Sequence, residues 1–330
     1  MEDKKDSKKA TKKRVTRKRL QKNDPVKFWR TTAFVLLGLI VITQFLDISI
    51  RPRFNLPGFS TQTKSSPTQN NSLAVDVDIS RLQSAVLPAE GVKLPIKWGD
   101  LGRRMIADGV IDETKFRALF KDGLQNTEEQ MFTGVWDNDV ILTPQNSRFI
   151  IDMLWAFGLA NKNEILQEEM LDEKYGGDAS RFASTGGWTL AKGTTMDHYG
   201  KHPYVVLTKE QQDLLDKVSK NIYRPCCGNT AHFPDCNHGM AMLGLLQLMA
   251  ANNVGEEEMY NVALKANSSW FPQTYLDLAT YFEEQGQSWD QVDPKLVLGP
   301  EYSSAQGYQS TRQKINSLPK PSKGGGGCGA

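Results

Sequence analysis

Hydrophobic and polar positions follow a helical period over most of the chain from residue 98 to residue 285. Residues 98–107 bring Leu101, Met105 and Ile106 to one side. Residues 112–120 carry Phe116, Leu119 and Phe120 behind Asp112, with residues 109–112 as a tight connection between two short helices. The spacing predicts a longer helix over 143–159, where Met153, Leu154 and Phe157 follow Ile150 on the same face. Residues 208–222 open with Thr208 three positions before Gln211, a capping-box pattern, and continue with Leu214, Leu215, Val218 and Ile222.

Residues 237–253 are apolar on every side, through Met240, Met242, Leu243, Leu245, Leu246, Leu248 and Met249. Such a helix belongs in the centre of a domain. Two further helices are expected over 256–266 and 271–285, and the pattern fades beyond Val292. Strand signals are few: residues 140–142 are very short, and residues 204–207 are the best candidate. The expected fold class is therefore mainly α, a helical globular domain with few or no strands.

The first fifty residues change this picture. The chain's net charge of +2 hides thirteen Lys/Arg and four Asp/Glu within residues 1–30. The uncharged stretch from Thr31 to Leu46 follows at once, and with residues 47–50 it is long enough for a bilayer core of about 30 Å. Lys and Arg accumulate on the cytoplasmic side of such segments. We therefore expect a basic cytoplasmic tail over 1–30, a single transmembrane helix over 31–50 and a flexible polar linker over 51–75. An exported helical domain then spans 76–313, and a Pro/Gly/Lys tail spans 314–330. A cleavable signal peptide is the competing reading, but no Ala-x-Ala site follows the apolar stretch. The expected location is the cell (inner) membrane, with the body extracytoplasmic and the lipid bilayer as a partner. The basic run is read as topogenic and lipid-facing, and no nucleic-acid partner is expected.

Chemistry concentrates in residues 226–240, which hold three of the four cysteines and two of the four histidines. Cys226, Cys227, Cys236 and His238 would supply three thiolates and an imidazole, a set suited to Zn²⁺ or Cu(I). The spacing matches no zinc finger, because adjacent Cys226 and Cys227 replace the usual C-x2-C pair. Met240 would favour copper if it joined the set, but it also fits a plain core position. The fourth cysteine, Cys328, follows four glycines. As a flexible coil, residues 317–328 span about 20 Å, so Cys328 reads as a mobile accessory ligand or thiol shuttle. The implied role is metal handling or sensing, with a metal or thiol donor protein as a partner.

Two other readings fit the same residues. In the first, Asp235 or Asn237 caps the apolar helix, and Cys236 at its N-terminus is an activated thiol. Cys227 or Cys226 then resolves it, as in a thiol–disulfide oxidoreductase with Cys236 and Cys227 as its catalytic pair and Cys328 as shuttle. In the second, Cys226 or Cys227 simply pairs with Cys236 in a disulfide-stapled interaction domain.

Elsewhere the signals are weaker. The Gly/Ser/Thr-rich residues 175–193 read as an irregular loop packed by Phe182 and Trp188, or as one wall of a pocket beside the cysteines. They lack the phosphate-loop pattern. His198 and His202 form a weak second pair. No Gly-x-Ser-x-Gly elbow or His-Glu-x-x-His helix occurs. Residues 223–246, together with Asn146-Ser-Arg-Phe149 and Ser184-Thr-Gly-Gly-Trp188, resemble a segment of uncharacterised prokaryotic membrane-anchored proteins. The resemblance spans residues 95–285 and implies a coherent domain without specifying an activity.

Overall fold

A helix that is apolar all round needs neighbours on all sides, and residues 237–251 find them at the centre of the fold. The structure is a computed structural model that describes residues 78–318, all within one compact unit, Asn70–Ala330. The basic tail, the apolar stretch, the linker and the Gly-tethered Cys328 lie outside the described residues.

The described chain runs α1 (Ile79–Val86), β1 (Val92–Leu94), α2 (Leu101–Ala107), α3 (Glu113–Arg117), α4 (Asn126–Thr133), β2 (Val140–Leu142) and α5 (Ser147–Ala160). It continues with α6 (Glu164–Glu168), α7 (Ala183–Gly186), α8 (Lys209–Ser219), α9 (Asn237–Ala251), α10 (Glu256–Trp270) and α11 (Pro272–Glu284). Three short helices close it: α12 (Pro294–Val297), α13 (Pro300–Ser303) and α14 (Ala305–Arg312). The fold is mainly helical with few strands, as the periodicity implies. Among the described residues no helix is long and apolar enough to cross a membrane.

The main core is built on α5 and α9, whose side chains are buried along almost their whole length. Their backbones touch. A Cβ added at Gly158 would lie 2.3 Å from the Met240 carbonyl oxygen, and one at Gly244 would lie 2.5 Å from that of Leu154. Side chains of any size would separate the helices, so the two glycines fix the crossing. A buried hydrogen bond of 2.8 Å from Asn161 Nδ2 to Gln247 Oε1 ties the end of α5 to α9. A second core joins α1 to α11 through Leu82, Val86, Tyr275, Leu278 and Phe282.

The strand expectation is corrected. Residues 204–207 are not a strand, because the side-chain amide of Asn161 takes both backbone groups of Val205: Val205 N donates to Asn161 Oδ1 at 2.9 Å and Val205 O accepts from Nδ2 at 3.1 Å. The strands are β1 and β2, antiparallel with Val92 opposite Leu142 and Leu94 opposite Val140. The capping box at Thr208 and Gln211 is present at the start of α8. The fading pattern after Val292 conceals α12–α14.

Two outcomes follow from this core. Gly158→Ala should lower the urea midpoint at unchanged m-value, by about 1–3 kcal/mol, the usual cost of overpacking. Asp152, on α5, is buried with Arg148 Nε at 4.0 Å, and burial raises its carboxyl to about 6. A raised carboxyl pKa means that the folded state binds the proton more tightly than the unfolded chain. Asp152 therefore costs stability as pH rises from about 4 through about 6. The stability of Asp152→Asn relative to the parent should grow by about 2–3 kcal/mol between pH 4 and pH 7, read from urea unfolding across pH.

Candidate metal centre

The loop between α8 and α9 folds back on itself before it presents its thiols. Tyr223 pairs with Thr230 in an antiparallel bridge, and Ala231 N donates to Ile222 O at 2.8 Å. Neighbouring helices hold the turn. Asn267 Nδ2 on α10 donates to Tyr223 O at 3.1 Å, Tyr223 N donates to Leu298 O at 2.8 Å, and Ala305 N donates to Cys227 O at 2.9 Å. On the other side, Ser184 N in α7 donates to Asp235 O at 3.0 Å. This contact makes the Gly/Ser/Thr-rich loop both a packed segment and a wall of the site. Trp188 anchors it, donating to Val110 O at 2.9 Å and meeting Trp155 edge-on.

Beneath the thiols lies Arg224, whose side chain is 0% exposed. Its Nη1 donates to Asn229 O at 3.0 Å, and its Nη2 donates to Asp235 Oδ1 at 2.7 Å and to Cys236 Sγ at 3.5 Å. Asn229 Nδ2 donates to the other Asp235 oxygen at 2.8 Å. Gly239 makes room for this group: a Cβ there would lie 2.6 Å from the guanidinium carbon. Burial works against the Arg224 charge, but Cys236, Cys227 and Asp235 outweigh it and hold its pKa above the ordinary arginine value.

Cys236 is itself the N-cap of α9, with Sγ accepting from Gly239 N at 3.4 Å. This corrects the assignment of the cap to Asp235 or Asn237. Cys236 Sγ lies 3.6 Å from Cys226 Sγ, and Cys227 Sγ lies 3.8 Å from Asp235 Oδ1. His238 stacks on Phe271 at 4.4 Å between centroids, which orients its ring. Hydrogen bonds from Cys226 and Cys227 hold the Cys236 thiol far below the usual thiol range against the effect of burial, with Arg224 and His238 adding to them. Cys226 is pushed up by its hydrogen bonds to Cys227 and Cys236 and by burial. For Cys227 the hydrogen bond with Cys226 acts downward, but Cys236 and burial win and raise it to about 11. Among the three thiols, negative charge is thus favoured most on Cys236, facing the buried guanidinium.

Two overlapping sets of donors meet here. Cys226, Cys236 and His238 offer one ligand atom each within 4.8 Å of one another, and so do Cys227, Asp235 and Cys236. This Cys/His/Asp cluster has the composition and closeness to hold a metal ion. The second set already surrounds a cation. Arg224 Nη2 contacts both Asp235 and Cys236, and Cys227 acts on the same guanidinium.

The structure brings Cys226, Cys227, Cys236 and His238 together, while Cys328 lies outside the described residues. Met240 is buried in the main core. His232 is engaged with Asp216 at 2.7 Å. His198 and His202 lie 3.2 Å apart in a cluster of their own, where His202 Nδ1 is 3.5 Å from Asp108 Oδ2. Sequence reasoning missed Arg224 and the carboxylate role of Asp235. The available signal was a lone arginine between Tyr223 and Pro225, two residues before the first cysteine.

Removing one partner of a buried ion pair costs about 3–5 kcal/mol. Arg224→Met should destabilise the reduced, metal-free protein by that order, and adding Asp235→Asn should recover part of the loss. Urea unfolding of the two single variants and the double variant measures this coupling.

Compared with known proteins, this chain matches no protein-family model, no curated protein and no solved structure.

Proposed function

We propose that the chain is a metal-handling or metal-sensing protein that holds one thiophilic divalent ion, with Zn²⁺ as the type case. Cys226, Cys236 and His238 are its principal ligands and Cys227 is the fourth. The observation that carries this reading is the 3.6 Å separation of Cys226 and Cys236 sulfurs. A tetrahedral ion with metal–sulfur bonds of about 2.3 Å places its sulfurs roughly 3.8 Å apart. A linear two-coordinate ion, the arrangement soft Cu(I) can take with two thiolates, needs about 4.6 Å between sulfurs at the same bond length. The thiols therefore stand near the edge length of a tetrahedron before any ion arrives.

Charge supports the same choice. Arg224 and Asp235 offset each other, and a divalent ion offsets the Cys226 and Cys236 thiolates beside a neutral imidazole, so that the Cys227 thiolate leaves a single net negative charge. A partly buried centre is then close to neutral, which lowers the cost of placing it in the protein. The Met240 thioether, an argument for copper, is committed to the core. The basic run and apolar stretch at the N-terminus extend the reading: the body is held at a membrane surface and handles its ion outside the cytoplasm, with Cys328 as an accessory thiol.

The test is equilibrium dialysis of the reduced chain against Zn²⁺ with a competing chelator. We expect one ion per chain. Cys226→Ser and Cys236→Ser should each weaken binding by more than ~100-fold, beyond the ~10–100-fold effect of outer partners. Cys227→Ser, whose sulfur faces Asp235, should cost less than either. Binding that survives Cys236→Ser unchanged would refute the assignment.

A further inference from the structure

We infer that Cys226 and Cys236 also form a dithiol that exchanges with external disulfides, and that this exchange empties the metal site. The geometry selects this pair among the three clustered thiols. Cys226 and Cys236 sulfurs are 3.6 Å apart, whereas the Cys227 sulfur is turned to Asp235 Oδ1 at 3.8 Å. Closing the first pair to a covalent bond of about 2.05 Å needs a movement of roughly 1.5 Å, within reach of small side-chain rotations. All three sulfur-bearing residues are half-buried, so a small disulfide can approach. Of the two resolving candidates in the sequence, Cys227 and Cys226, Cys226 is the partner of Cys236 in this exchange.

The reaction balances with a low-molecular-weight disulfide, RSSR, as oxidant. Cys236 attacks as the thiolate on one sulfur of RSSR, which breaks the S–S bond, forms a mixed disulfide and expels RS⁻, which takes a proton from solvent and leaves as the first RSH. Cys226 then attacks the Cys236 sulfur and displaces the second RSH, which carries the Cys226 proton. Two protein thiols are oxidised, one external disulfide is reduced, and two small thiols leave.

The pocket suits the oxidised state because Arg224 has a partner besides Cys236, namely Asp235, which lies 2.7 Å from its Nη2 in this structure. The metal set does not survive it. A cysteine binds the ion only as its thiolate, so the disulfide removes two of the four donors and leaves Cys227 and His238. This gating rests on the metal reading, while the exchange itself does not.

The experiment uses the reduced full chain stripped of metal with a chelator, incubated with glutathione disulfide, alkylated, and mapped for cross-links by non-reducing digestion. A predominant Cys226–Cys236 link is expected in the parent and in Cys227→Ser. A predominant link through Cys227 or Cys328, a persistent mixed disulfide, or intact thiols would overturn the exchange. A second arm compares Zn²⁺ uptake before and after oxidation. Binding at least 100-fold weaker after oxidation is expected, and equal binding overturns the gating. If the reduced chain takes up no Zn²⁺, the metal reading and the gating fail together, and the cross-link map alone still decides the exchange.

Discussion

Arg224 is taken wholly out of water, and a buried guanidinium costs several kcal/mol unless negative groups and acceptors surround it. Several features of the 223–240 loop answer that demand, while Arg224 Nε is buried without a hydrogen-bond partner among the described residues. Asp235 is positioned by Asn229 to accept from Arg224, Asn229 turns its own carbonyl to the guanidinium, and Gly239 omits the side chain that would occupy its space. Cys236 sits where the guanidinium and the first free N–H groups of α9 converge, so its sulfur is the atom on which negative charge is most stable. The same guanidinium contacts Asp235 and Cys236 within the Cys227–Asp235–Cys236 set.

That arrangement depends in turn on where α9 begins. The contact of Gly158 with Gly244 sets α9 against α5, and the bond from Asn161 to Gln247 holds its far half. With the helix fixed, Cys236 and His238 are displayed at its first turn. The loop bearing Cys226 and Cys227 is clamped to them by Asn267, Leu298 and Ala305. The short helices at the end of the described chain thus belong to the support of the site. The Gly/Ser/Thr-rich segment supports it from the opposite side, through Ser184 and the packing of Phe182 and Tyr175 on Phe233.

Much of this was legible in the sequence, and the parts that were not have physical reasons. The all-round apolarity of residues 237–251 announced the central helix, and the Thr208–Gln211 spacing announced the capping box of α8. Residues 140–142 registered as a very short strand signal and form β2, but their partner β1 was hidden because it has three residues and the pairing is non-local. Residues 204–207 have strand-like composition, but one amide, Asn161, decides their conformation from 44 positions away. Helices α12–α14 are too short for periodicity to register. At the site, residue types and neighbourhood pointed to Cys226, Cys227, Cys236 and His238. Which sulfur faces which depends on the turn geometry, so adjacent Cys226 and Cys227 could not be told apart. A thiol N-cap falls outside the usual Ser, Thr, Asp and Asn preferences. A single arginine gives no sign of burial until its partners are seen.

X-ray absorption at the zinc edge of the full chain loaded with one equivalent of Zn²⁺ tests the central claim most directly. The account predicts a tetrahedral shell of two or three sulfurs at about 2.3 Å with at least one nitrogen at about 2.0–2.1 Å. A shell of oxygen and nitrogen neighbours without sulfur would contradict it.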